Sequence, residues 1–190
     1  VADGHLRLWM RKDGEAKRDA NQEFHTYTSA SVQAKELSHF GYYEVRAKPM
    51  DSAGSSSFWF AGTSSGWRTE IDIFELGGKA KGHERRYNMN LHVFRRPGDK
   101  RHTNCGDAWH APFRFADGFH VFGLAWTPDR LTYYVDGAPV RWVENRYWRQ
   151  PLYLIFDSET MPDWLGLPED KDLPSVFEID YVRVWRLPPG

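Results

Sequence analysis

Three carboxylates fall within one short apolar segment, Glu70-Ile71-Asp72-Ile73-Phe74-Glu75. Acids held close together and given different pKa values can divide catalytic work, one ionised and attacking, the other protonated and donating. In glycoside hydrolysis, two carboxyls about 5 to 5.5 Å apart allow attack on the anomeric carbon and protonation of the leaving oxygen, with net retention. The segment reads as a β-strand. Regular alternation would send Glu70, Asp72 and Phe74 to one face and Ile71, Ile73 and Glu75 to the other, which would bury Glu75. A single bulge near Ile73-Phe74 adds one residue and returns Glu75 to the face of Glu70 and Asp72. Three like charges on that face repel, so at least one carboxyl should keep its proton above the usual range. Spacing alone leaves a second reading open, a solvated strand face that happens to carry three charges.

The elements that would position these acids are also strands. Runs of β-branched and aromatic residues recur between turn signals at 41–47, 57–61, 87–94, 119–126, 131–135, 152–156 and 177–185. Asp136-Gly137, directly after Tyr133-Tyr134-Val135, is a hairpin turn signal. Gly4 to Trp9 reads as a strand already inside a sheet. No segment carries a sustained helical period and no repeat is visible, so the economical architecture is all-β: an antiparallel two-sheet sandwich in a single domain spanning 1–190. Two irregular stretches, Arg95 to Ala116 and Ser158 to Ser175, read as long loops forming the rims of a binding face.

Composition narrows the class of partner. With 25 basic and 26 acidic residues the formal net charge is −1, which removes the broad attraction that drives binding to nucleic acid or acidic membranes. No stretch has the length of a membrane span and no signal-peptide pattern opens the sequence, so a soluble chain is expected. The single Cys105, in a polar loop, excludes an internal disulfide and reads as an ordinary thiol. The histidines lack metal-ligand spacing, so no metal is assigned to the site.

The carboxylate run matches the Glu-x-Asp-x-x-Glu signature of glycoside hydrolase family 16 in its bulged form. The segments 40–48, 57–59, 119–129, 134–137 and 179–185 resemble that family in order, so the likeness covers most of the chain. It implies a jelly-roll sandwich with a concave sugar cleft, Glu70 as nucleophile, Glu75 as acid/base and Asp72 modulating the nucleophile. It also implies strands upstream of Gly4–Trp9 that this sequence lacks, a secreted, periplasmic or cell-surface location, and a monomer acting on polysaccharide. Around Leu154 to Trp164 the chain resembles the agarase and porphyranase branch, where an acid followed by a Trp stands beside the cleft. That favours an endo-acting enzyme on a red-algal galactan: porphyran, agarose or a carrageenan. The alternatives are a laminarinase-like β-1,3-glucanase and a non-catalytic galactan-binding module.

Further site candidates follow. On 87–94, Asn88, Asn90 and His92 alternate with apolar residues, so Asn90 and His92 are expected to look into the cleft. The resemblance implies a hydrogen bond from His92 to Asp72 or Glu70. Flat indoles suit the C–H faces of sugars, which makes Trp59, Trp67 and Trp164 candidate platforms, with Glu159 beside them. Trp9, Trp126 and Trp185 are expected in the core, and Trp142 and Trp148 suit either a platform or a structural role, the structural role being preferred. Arg68, Arg95, Arg96 and Arg101 offer guanidinium forks for sulfate esters, Arg68 foremost because it lies two residues before Glu70. No cofactor is needed for catalysis. The resemblance admits a structural calcium at Asp180.

Overall fold

Alternation of buried and outward side chains is clearest along Gly41–Lys48, where Tyr43, Val45 and Ala47 are buried and Tyr42, Glu44, Arg46 and Lys48 are half-exposed. A strand patterned this way buries one face against a second layer. The computed structural model, which describes residues 1–13, 18–19, 22–23 and 26–187, supplies that layer. Its strands are β1 (Leu6–Lys12), β2 (Arg18–Asp19), β3 (Gln22–Glu23), β4 (Tyr27–Thr28), β5 (Ala30–Ser38), β6 (Gly41–Lys48), β7 (Ser55–Ser64) and β8 (Trp67–Gly77). There follow β9 (Arg86–Arg95), β10 (Thr103–Asn104), β11 (Asp107–His110), β12 (His120–Trp126), β13 (Arg130–Val135), β14 (Ala138–Glu144), β15 (Leu152–Glu159) and β16 (Ser175–Arg186). One sheet runs β14-β13-β12-β6-β16-β1-β4; the other runs β10-β9-β8-β7-β15-β5, with β11 also on β9. The pairings of both sheets are antiparallel. No helix among the described residues is long and apolar enough to cross a membrane.

The core between the sheets is largely aromatic. Phe74 of β8 meets Phe122 of β12 at 4.5 Å between centroids, and Phe60 of β7 meets Tyr43 of β6 at 4.9 Å. Such rings remove large apolar areas from water, which is the main favourable contribution to the fold. At the β13–β14 hairpin, Asp136 (φ 49°) and Gly137 (φ 80°) both adopt the left-handed conformation that the two-residue turn requires.

The strand expectations hold, and two of the longer strands escape them. Ala30–Ser38 is a largely exposed edge strand with polar composition, and Ala138–Glu144, another edge, carries Pro139 and a register irregularity opposite Tyr133/Tyr134. The 95–116 stretch is less loop-like than expected, because β10 and β11 fold back onto β9. Among the tryptophans, Trp126 and Trp148 are buried. Trp185, expected in the core, is instead 50% exposed and lies beside Tyr42, since register with β6 turns it to the outer face. Trp9 alternates with the buried Leu8 and Met10, so it too points away from the core, under Arg11. Trp142, for which the sequence favours a structural role over a platform, is 67% exposed.

Candidate active site

The bulge at the carboxylate strand is present. Across β7 the register passes from Phe58↔Phe74 to Trp59↔Asp72, so Ile73 has no partner of its own. On the other side Asp72 faces Asn90 while Glu75 faces Asn88, again one extra residue on β8. Ile71, Ile73, Phe74 and Leu76 go into the core. Glu70, Asp72 and Glu75 share a cavity of about 180 Å³ with Ser57, Trp59, Glu159 and Met161.

Burial is the first cause of the unusual protonation here, because a desolvated carboxylate prefers to keep its proton. Glu70 is pushed up to about 7, by burial and then by the charge of Asp72, with His92 and Arg68 pulling it down. Glu75 reaches about 8, through burial and then repulsion from Asp72, Glu159 and Glu70, with His92 pulling it down. Asp72, almost wholly buried, is also raised, by burial and by Asp157. Glu159 is raised to about 7 by burial and by Asp157. The Arg68 guanidinium, on the Glu70 side, favours the ionised form of Glu70.

His92 sits directly opposite Glu70 in register. Its Nε2 lies 3.2 Å from Asp72 Oδ2 and 3.9 Å from Glu70 Oε1. Beneath them Trp148 donates its indole N–H to the carbonyls of both Glu70 (2.8 Å) and His92 (3.2 Å), tying the two backbones from the core side. Glu70, Asp72 and His92 offer ligand-type atoms within 4.8 Å of one another. Glu70 and Asp72 belong to β8 and His92 to the neighbouring β9, and no metal is assigned to them.

Two further cavities flank the acids. One of about 400 Å³ on the Glu70 side is lined by Gln33, Trp59, Arg68, Phe94 and Tyr153. The other, about 440 Å³ on the Glu75 side, is lined by Arg86, Asn88, Asn90, His110 and Trp164. Trp59 thus stands between the central cavity and the first flank, with its indole N–H donated to Asp157 Oδ1 at 3.0 Å. Arg68 lies over the Phe94 ring at 4.8 Å, on the Glu70 face. Trp164 is 41% exposed on the Met161–Gly166 turn and meets His83 edge-on.

Several candidates go elsewhere. Trp67 lies three residues before Glu70, an odd spacing that turns it to the core side, where it packs near Tyr147 instead of forming a sugar platform. Arg96 and Arg101 both clasp Asp99, so they brace a turn rather than wait for sulfate. Asp180 accepts a hydrogen bond from Arg46 at 2.6 Å and has His5 at 3.7 Å. A guanidinium at that position does not fit a calcium site, which needs oxygen donors.

Asp157, Phe94, Gln33 and Tyr153 were missed. Asp157 had a signal: β15 continues to Glu159, so Tyr153, Ile155, Asp157 and Glu159 alternate onto the cleft face. Phe94 alternates with His92 in the same way.

Paired half-buried acids on one strand of a β-sandwich, an aromatic residue beside them and a cavity to either side form the kind of arrangement that glycoside hydrolysis requires. The chain belongs to glycoside hydrolase family 16: the profile described as "Beta-porphyranase A-D, GH16 domain" matches residues 1–187. The κ-carrageenase of Pseudoalteromonas carrageenovora is 27% identical over 97% of this chain and 55% of its own length. Glucan endo-1,3-β-glucosidase A1 of Niallia circulans is 26% identical over 98% of this chain and 30% of its own. Porphyranase B of Zobellia galactanivorans shares the fold, with a TM-score of 0.86, 22% identity and coverage of 98% of this chain and 77% of that one. The chain therefore spans about half or less of the length of these two sequence relatives.

Proposed function

We propose that this domain is an endo-acting, retaining hydrolase of β-linkages in a red-algal galactan. The observation that carries the reading is the bulge at Ile73, which brings Glu70, Asp72 and Glu75 into one cavity with flanking cavities on both sides. Ionised Glu70 attacks the anomeric carbon while protonated Glu75 gives its proton to the departing glycosidic oxygen, so one C–O bond forms as the other breaks. Glu75, now ionised, takes a proton from water. The resulting hydroxide attacks the same carbon, and Glu70 leaves as a carboxylate. No cofactor enters either step. His92 supports the ionised form of the array, and Trp59, steadied by Asp157, gives the sugar ring a flat face. Cavities on both sides accommodate a chain that continues past the scissile bond, which suits internal cleavage.

The galactan reading is supported by the family profile, by the resemblance at Glu159–Trp164 and by Arg68. A guanidinium stacked on Phe94 two residues from the nucleophile suits a sulfate ester, through two parallel charge-assisted hydrogen bonds. We infer a sulfated substrate, porphyran or a carrageenan, ahead of neutral agarose, and a secreted or cell-surface monomer. A β-1,3-glucanase is the second reading, favoured by the Niallia relative. Oligosaccharide release from porphyran, agarose, κ-carrageenan and laminarin separates them. Products from laminarin and none from the galactans would overturn the galactan reading. Arg68→Ala is expected to lower kcat/KM on a sulfated galactan about tenfold and on agarose by less than about threefold, because a charge-assisted pair exceeds a neutral contact. Equal losses would move agarose ahead.

A further inference from the structure

His102 lies outside the cavities that hold the acids, yet it reaches them through another ring. Its Nε2 is 2.9 Å from Nδ1 of His92, whose other nitrogen faces Asp72 and Glu70. The turn that delivers it is braced. Asp99 is held by Arg96 and Arg101, Arg96 and Asp99 exchange backbone hydrogen bonds, and Thr103-Asn104 pair with Val93 and His92. His102 also stacks on Phe94, with centroids 4.6 Å apart. Phe94 in turn lies nearly parallel to His92 at 5.3 Å.

Two facing ring nitrogens 2.9 Å apart must have one proton between them. At the other end of His92, two acid oxygens face Nε2. An N–H there supports both as anions, whereas a lone pair would oppose them. A neutral imidazole has one proton to place, and the hydrogen bond at one nitrogen decides which nitrogen carries it. We propose that His102 is a positioning residue: it donates to Nδ1 of His92 and so holds the His92 proton on Nε2, aimed at Asp72 and Glu70. The role deepens the hydrolase reading, since the ionised Glu70 that the first step needs depends on that N–H.

The test uses the whole domain, with histidine ring nitrogens followed by long-range proton–nitrogen NMR near neutral pH, and kinetics on the cleaved polysaccharide. His102→Phe keeps the stack on Phe94 and loses the donor. His102→Gln keeps a donor at a similar reach. In the wild type the His92 proton is expected on Nε2; in His102→Phe a substantial share should move to Nδ1; in His102→Gln it should return. In parallel, His102→Phe should lower kcat about tenfold with KM within about twofold, and His102→Gln should recover to within about threefold, the scale of a well-placed hydrogen bond. A wild-type His92 protonated on Nδ1, an unchanged tautomer in His102→Phe, or full turnover in that variant would overturn the proposal. If no polysaccharide is cleaved at all, the hydrolase reading fails and the tautomer still reports on His102.

Discussion

The two sheets treat their acids in opposite ways. On the outer face of the β6–β16–β1 sheet each acid has a partner: Glu178 accepts from Arg7 at 2.8 Å, Asp180 from Arg46 at 2.6 Å and Glu44 from the Tyr181 hydroxyl at 3.0 Å. On the cleft face of the other sheet, Glu70, Asp72, Glu75, Asp157 and Glu159 lie close together without a lysine or arginine ion pair among the described residues. The first arrangement costs little and stabilises little. The second is unfavourable to the fold unless some of its members keep their protons. Held protons are what the proposed acid catalyst needs, so on that proposal the cluster trades stability for chemistry.

Exchanging the proposed catalytic acids should show the largest effect. Glu70→Gln and Glu75→Gln are each expected to lower turnover by about a thousandfold or more, within the range for loss of a nucleophile or general acid. Azide should distinguish them: added to Glu70→Ala it should yield a glycosyl azide of inverted configuration, and added to Glu75→Ala one of retained configuration. Identical azide products would reverse or dissolve the assignment.

A smaller effect is expected one layer back. Asp157→Ala removes the acceptor for the Trp59 indole. KM should rise about tenfold with kcat changed less, as for loss of a charged hydrogen bond that positions a binding surface. An unchanged KM would detach Trp59 from substrate binding.

Stability against pH sharpens the contrast further. Glu70, Glu75 and Glu159 have folded-state pKa values of about 7, 8 and 7, raised from 4.5. The folded state therefore binds more protons than the unfolded one between these limits, and stability falls as pH rises. The contribution is whole below about 4.5 and is lost as pH climbs through 7 and 8. Melting temperature should drop by several degrees from mildly acidic to mildly alkaline buffer, at about 2 to 4 °C per kcal/mol for a chain of this size. Glu75→Gln should flatten that slope and melt higher at alkaline pH. A slope unchanged by the substitution would place the held proton elsewhere.

The outer sheet should be the quiet control. Asp180→Asn is expected to shift stability by no more than about 1 kcal/mol and leave kcat unchanged, as exposed pairs do. A marked loss of activity would show that the two faces are not independent.

Much of this division was legible in the sequence. The need for a bulge followed from where Glu75 would otherwise be buried, and the structure places it at Ile73. Arg68 on the Glu70 face followed from alternation; by the same alternation Trp67, an odd number of residues from Glu70, faces the other way, so parity outweighs proximity in sequence. Asp157 was hidden by ending its strand at Phe156, where apolar residues stop, although the alternation continues through two acids. His102 was not legible, because its contact with His92 depends on a turn closed by Arg96, Asp99 and Arg101 that reads as scattered surface charge. Exposed Trp185 and Trp142 show the converse, since a large apolar residue in a strand does not reveal which face it occupies.

On the proposed mechanism one bulge sets Glu70 and Glu75 to attack and to protonate across a single glycosidic bond. Proton NMR of the reducing end formed in the first minutes of hydrolysis, before the sugar mutarotates, tests it most directly. The β-anomer is expected to appear first and relax to the equilibrium mixture, while an initial α-anomer would rule out retention by Glu70 and Glu75.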